Sequence, residues 1–402
     1  MKKVLIFLMV LIILSIGGYF LYNYYFYDEY ELPKDVIIEL NDNNFIVYEE
    51  HNSNELVKSI NADIISNDVK LENETIGEYK YVLKYKYKKK KYKYDITYQV
   101  MDTIEPVFIG APKTLTMESS DEAEVCNKIV YADNYDNLPK CTINGEYDKT
   151  KIGTYNNLEY VITDNSGNEA KKTFTLNIVS KIPKNNNYVT PKYLYMNDIL
   201  NKYKTDSTSI GIDVSKWQGN VDFEKVKNAG VEFVIMRIGS QRSPGDEIAM
   251  DVKFKEYYEA AKKVGLNIGV YVYNTAISRE DGINTAKWVI KELNGDKLDL
   301  PIAYDFENWT NFMDYKISLH TLSEAYKGFE SEIRKNGYDA MLYGSKFYLE
   351  NVWENFDNSN VWLAHYTDKT DYQGKYMLWQ MTSLAKINGI TENTVDIDIL
   401  YK

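Results

Sequence analysis

Pro301-Ile-Ala-Tyr-Asp-Phe-Glu307 is a short apolar run that turns acidic at its end. An apolar stretch of this length, bounded by polar residues, reads as a buried strand. Runs of the same kind stand at Ile210–Val214, Phe233–Ile238, Leu266–Tyr273 and Ala340–Tyr343. Between them lie helical patterns at Val252–Val264, Glu280–Leu293 and Leu319–Lys335; the first sets Phe254, Tyr257, Tyr258 and Ala261 on one face. Strand alternating with helix predicts a parallel sheet or barrel. Beyond Tyr343 the helices thin out, and Val361–His365, Tyr376–Met381 and Val395–Leu400 follow closely on one another. The pattern predicts an irregular (β/α) barrel of TIM type over residues 209–402.

Carboxylates fall where these strands end. Asp213 closes the first, within Gly211-Ile-Asp-Val-Ser-Lys-Trp-Gln218, and Asp305 and Glu307 close the one that opened this section. In parallel barrels the C-terminal ends of the strands carry the active site. Strand period 2 points Asp305 and Glu307 to the same side, with Cβ atoms ~6.5–7 Å apart. Carboxyl groups so close cannot ionise independently, so one holds a proton near neutrality. An acid beside an ionised partner is what glycosidic cleavage needs. An Asp-x-Glu is also a common solvated strand end, so the spacing alone is weak. Tyr271 and Tyr273 share one strand face and are expected to line the cleft. Tyr343, Trp379, Gln380 and Asp396 are further candidates for binding substrate.

The stretch from Ser209 to Lys402 resembles the lysozymes of glycoside hydrolase family 25. The matching motifs are Gly211-Ile-Asp-Val-Ser-Lys-Trp-Gln-Gly219, Val231-Glu-Phe-Val-Ile-Met-Arg237, Gly269-Val-Tyr-Val-Tyr273 and Ala303-Tyr-Asp-Phe-Glu307. They continue with Val361-Trp-Leu-Ala-His-Tyr366, Leu378-Trp-Gln380 and Val395-Asp396. The resemblance implies an irregular barrel of eight strands and five helices and a 1,4-β-N-acetylmuramidase acting on peptidoglycan glycan strands. It implies Glu307 as general acid, with Asp305 and Asp213 as the other acidic residues of the site. It suggests a retaining route in which the substrate's own acetamido oxygen attacks and Asp305 orients it; direct attack by a carboxylate stays open. The sequence departs from the family at Asp396-Ile-Asp398, where an Asn is common at the second acidic position. No cofactor and no metal are expected. The alternative is a wall-binding surface protein or adhesin of weak catalysis.

Upstream, the texture is strand-like from Leu32 to Ser180, and it repeats. Ile76-Gly-Glu-Tyr79 recurs as Ile152-Gly-Thr-Tyr155, each leading into a predicted hairpin. Tyr79, Tyr81, Leu83, Tyr85 and Tyr87 alternate with mostly Lys positions, then Tyr92, Tyr94, Ile96, Tyr98 and Val100 return. Two β-sandwich modules are expected, at 32–101 and 102–180. The second resembles bacterial immunoglobulin-like surface domains through Asp102-Thr-Ile-Glu-Pro106, Ala132-Asp-Asn-Tyr-Asp136 and Thr163-Asp-Asn-Ser-Gly-Asn168. Its Asp/Asn clusters read as turn residues, with a calcium site as the alternative. Cys126 and Cys141 either pair or lie as buried thiols in neighbouring strands. Residues 181–208, with Pro183 and Pro191, read as a linker. The modules are expected to act as a spacer whose deletion spares cleavage of soluble wall fragments.

Residues 1–31 read as a cytoplasmic stub and membrane anchor. Lys2 and Lys3 precede the uncharged run Val4–Tyr27, whose far end is rich in Tyr and Phe, and Asp28, Glu29 and Glu31 follow. That pattern suits a single-pass helix with its C-terminal domains outside the cell. The alternative is secretion after cleavage near Ser15-Ile-Gly17. A tethered wall hydrolase would suit local wall opening or remodelling, with a secretion or conjugation machine as a further partner. With 47 basic against 59 acidic residues, the net charge of −12 argues against nucleic acid as a partner. The three histidines (His51, His320 and His365) are scattered, which excludes the usual zinc layouts.

Overall fold

Alternating side chains bring the β segments together as hairpins. The computed structural model describes residues 32–402 apart from 67, 184–190, 355, 357 and 358. The expected anchor at 4–27 lies outside the described residues. Among the described residues, no helix is long and apolar enough to cross a membrane. The chain divides into two compact units between Thr103 and Ile104.

The first unit holds β1 (Ile38–Leu40), β2 (Asn44–Ile46), β3 (Val57–Ile60), β4 (Asp63–Ile64), β5 (Gly77–Tyr87) and β6 (Lys90–Met101). Strands β2, β6, β5 and β4 form one sheet, and β1 pairs with β3. The β5–β6 turn is two residues long, Lys88 and Lys89, both at positive φ. That is the tight turn whose twist matches a hairpin. Leu83, Tyr85, Ile96, Tyr98 and Val100 are buried while Lys86 and Thr97 between them are exposed, as the period-2 pattern requires.

The second unit begins with β7 (Val107–Gly110), β8 (Thr114–Glu118), β9 (Val130–Ala132), β10 (Lys140–Asn144), β11 (Gly153–Thr163) and β12 (Glu169–Val179). A four-stranded sheet in the order β10-β11-β12-β8 and the β7–β9 pair enclose a core around Met117, Tyr160, Phe174 and Leu176. The repeat is visible here: β8 runs parallel to β12, as β2 does to β6. Cys126 and Cys141 form a disulfide across 15 residues. The Asp/Asn clusters serve as turns, Asp133 accepting from the amides of Tyr135 and Asp136, and Asp164 from that of Asn168.

After β13 (Leu194–Tyr195) and α1 (Met196–Tyr203) comes the barrel. Its elements are β14 (Thr208–Val214), α2 (Phe223–Asn228), β15 (Phe233–Ser240), β16 (Ala249–Met250), α3 (Phe254–Val264), β17 (Asn267–Tyr273), α4 (Arg279–Leu293) and β18 (Ile302–Asp305). They continue as α5 (Phe312–Tyr315), α6 (Leu319–Lys335), β19 (Ala340–Ser345), α7 (Lys346–Asn351), β20 (Asn360–Ala364), β21 (Leu378–Ile387) and β22 (Ile390–Tyr401). Among the described residues, eight strands close the barrel in the order β14-β15-β17-β18-β19-β20-β21-β22. The first seven run parallel, and β22 is antiparallel to both β21 and β14. Phe233, Ala303, Met341, Trp362 and Leu378 fill the interior. Their strand neighbours Val234, Tyr304, Leu342, Leu363 and Trp379 face the surrounding helices. Helices α4 and α6 touch at Gly282 and Gly328, where any side chain would meet backbone of the facing helix.

The second β module is not a free spacer. Strands β7 and β9 pack on the Trp309–Asn311 turn, and β9 also on α5. Ile109 and Ala132 join the same buried cluster as Phe306, Trp309 and Phe312. The spacer expectation treated each apolar segment as the core of its own module; these residues serve a shared boundary instead.

Candidate active site

The strands deliver their acids by parity. In β18, Ala303 and Asp305 point inward while Tyr304 points out to the helices, and Glu307 follows just past the strand end. The Asp305 carbonyl is held by the backbone amide of Asn274 at 2.8 Å and its side-chain amide at 3.0 Å. Asp213 is the next-to-last residue of β14 and pairs in register with Asp396 of β22.

These residues line a cavity of about 190 Å³ with Tyr271, Tyr343, Trp362, Tyr366 and Gln380. A second cavity of about 510 Å³ adjoins it, lined by Lys346, Phe347 and His365 among others. Glu307, Tyr343 and Tyr366 border both, so the Glu307 carboxyl stands at the junction. Gln380 organises the inner cavity. It accepts from the Tyr343 hydroxyl at 2.9 Å and the Tyr366 hydroxyl at 3.0 Å, and donates to Asp213 Oδ2 at 2.8 Å.

Of the sequence candidates, Asp213, Asp305, Glu307, Tyr271, Tyr343, Gln380 and Asp396 all meet at this cavity. Tyr273 stands beside it, paired in register with Asp305. Trp379 does not join them. It is 3% exposed, lies in the outer core and donates its indole N–H to the His365 carbonyl at 2.8 Å. Neighbours in a strand face opposite sides, so Trp379 and Gln380 cannot both line one cleft. Sequence reasoning missed Trp362 and Tyr366, although both lie in the 361–366 motif. Pairing Trp362 with Tyr343 in the β19–β20 register would have placed it inside.

Burial pushes the Asp213 and Asp305 carboxyls well above the usual range, reinforced by the neighbouring acids. Asp398 is fully buried beneath the cavity, where Trp362 Nε1 donates to its Oδ1 at 2.8 Å, and burial raises it too. Asp396 is pushed up to about 9, first by burial and then by Asp213. Glu307 is raised by burial as well, but its side chain is reachable by water at the cavity mouth. Arg237 counters the rise at Asp305, yet its guanidinium is committed to Asp251, with Nη2–Oδ2 at 2.6 Å. Burial and mutual repulsion thus push every carboxyl of the site towards its protonated form, the condition a general acid needs.

This has a stability consequence with a definite sign. Asp396 titrates near 9 when folded and near 3.8 when unfolded, so the folded chain keeps its proton between those values. Stability from this source is greatest at acidic pH and is lost as pH rises towards 9. Asp398 acts in the same direction. The melting temperature should therefore fall between pH 5 and 9, and less steeply in Asp398→Asn, which keeps the acceptor for Trp362 but cannot ionise. Superimposable melting-temperature profiles for the two proteins would show that Asp398 does not titrate in this way.

Residues 212–390 match the model of glycosyl hydrolases family 25. The chain is 28% identical over 190 residues to the autolytic lysozyme of Clostridium acetobutylicum, a match covering 47% of this chain and 54% of that protein. It thus spans about half the length of that relative. It is 23% identical over 194 residues to lysozyme M1 of Streptomyces globisporus, covering 45% of this chain and 64% of that protein. Among solved structures, a family 25 glycosyl hydrolase from Bacillus anthracis aligns with a TM-score of 0.43 and 19% identity, over 50% of this chain and 93% of that one.

Proposed function

We propose, on the premise that residues 212–390 form a glycosyl hydrolases family 25 domain, that this protein cleaves the β-1,4 bond between N-acetylmuramic acid and N-acetylglucosamine in peptidoglycan. The observation that carries the reading is Glu307 at the meeting of two cavities, with Asp305 beside it in the inner one. Asp305 Oδ1 is buried without a hydrogen-bond partner among the described residues. A buried acceptor left unpaired costs ~1–3 kcal/mol, which a donor from the substrate would recover. The N–H of a 2-acetamido group is such a donor. Orienting it aims the acetamido oxygen at the anomeric carbon, while Glu307 protonates the departing oxygen and then activates water, with retention of configuration. Asp213 and Asp396 tune the charge, and Tyr271 and Trp362 offer ring faces to the sugar.

The product distinguishes the bond. Borohydride-reduced digests should contain reduced muramic acid by mass spectrometry; reduced glucosamine as the main product would rule out muramidase action.

The two β modules are immunoglobulin-like in this reading, on the support of their shared hairpin and parallel edge-strand pattern. Val4–Tyr27 anchors the chain with the remainder outside, a placement consistent with the disulfide, since such bonds persist in oxidising surroundings. Full-length protein should then stay with membranes after carbonate extraction. A soluble species beginning near Gly18 would show a cleaved signal instead.

A further inference from the structure

The residue proposed as general acid sits on a segment that the barrel alone does not hold. Strand β18 ends at Asp305, and α6 does not begin until Leu319. The intervening residues form a 3-10 turn and the one-turn helix α5. So short a helix has little stability of its own and takes its position from packing. On the barrel side, Trp309 stacks on Tyr348 at 4.1 Å and meets Phe306 edge-on at 4.9 Å. On the other side the β module takes over. Ile109 and Ala132 complete the cluster around Trp309 and Phe312, and Met313 packs against the module's own core. The far end is fixed by backbone. The amide of Leu319 donates to the Asp133 carbonyl at 2.8 Å, and that of His320 to the Asn134 carbonyl at 3.3 Å. These are the first two amides of α6, which have no partner within the helix. The next amide, of Thr321, goes to the Ser318 hydroxyl at 3.1 Å. The module's 133–134 turn therefore completes the cap of the helix that ends the loop.

We propose that the β module of residues 104–180 is a working part of the catalytic domain: it clamps the 306–318 segment and so sets the position of Glu307, with Met313 and Ile109 as positioning residues. The inference rests on the general-acid reading of Glu307. Displacing a catalytic group by ~1 Å can cost ~10²-fold in rate while leaving substrate binding largely intact. The clamp thus acts on turnover more than on affinity. It also gives the disulfide a place in catalysis at a distance, because Cys126–Cys141 stiffens the module that grips the loop.

The test uses the full-length chain carrying Met313→Asp or Ile109→Asp, each placing a charge in the shared boundary. Expected are a fall in kcat of ~10–100-fold, a change in KM of less than about threefold, and a shifted acid limb of the pH–rate profile. Met313→Leu should restore kcat. Hydrogen exchange of amides 306–318 should quicken in the Asp variants while exchange within β14–β19 stays slow. Because exchange needs no substrate, it tests the clamp even if peptidoglycan proves not to be cleaved, and wild-type inactivity on peptidoglycan would fault only the functional reading. Should a charged variant not fold, Ile109→Ala offers a milder loosening with the same readouts. A folded variant with wild-type exchange at 306–318, or with faster exchange but wild-type kcat, would overturn the proposal.

Discussion

Glu307→Gln is expected to remove hydrolysis of purified cell walls while leaving folding and wall binding intact. The amide matches the carboxyl in size and keeps its place at the junction of the two cavities, but has no proton to give to the departing oxygen. General acids contribute ~10²–10⁴-fold, so the loss of turbidity-clearing activity should be at least of that order. The substitution should not lower the melting temperature, because the surroundings disfavour a charged carboxylate at this place and the amide is neutral. Retention of more than about a tenth of wild-type activity would remove Glu307 from the role.

The second large effect belongs to Asp305. Asp305→Asn keeps a buried polar group at the same place but exchanges an anion for an amide, which cannot favour the positive charge growing on the acetamido group. A loss of ~10²–10³-fold is expected, of the size seen when one electrostatic contact to a transition state is deleted. Substrate chemistry offers the complementary test. If Asp305 works through the acetamido group, glycan stripped of its N-acetyl groups should resist the wild-type enzyme and be no worse for Asp305→Asn. Comparable turnover of native and de-N-acetylated glycan would point to direct attack by a carboxylate instead.

Much of this site was legible because strands obey a period of two. Asp305 and Glu307 share a side for the same reason that Tyr271 faces inward and Val270 outward. The same rule, applied one step further, would have separated Gln380 from Trp379. Trp362 needed more: its place follows from which strand lies beside which, and a lone sequence does not state the register of neighbours. Asp398 was legible as an unusual acid but not as one beneath the cavity and tied to Trp362. The docking of the β module was hidden for another reason. Ile109, Ala132 and Met313 are apolar residues at unremarkable positions, and nothing in their spacing tells a private core from a shared one.

The closure of the barrel sets an order in time. Strand β14 needs β22 on one flank, with Thr208 opposite Tyr401. As the chain is synthesised, the first barrel strand therefore appears long before its last neighbour. Until β22 emerges, the barrel can exist only as an open sheet with bare edges, a form prone to pairing with other chains. The β modules face no such wait. Their hairpins join residues close in sequence, such as Tyr87 with Lys90, and loops of that kind close quickly. Maturation would then run from the N-terminal side, and the module that grips the 306–318 segment would stand ready before the barrel residues that dock on it have finished folding.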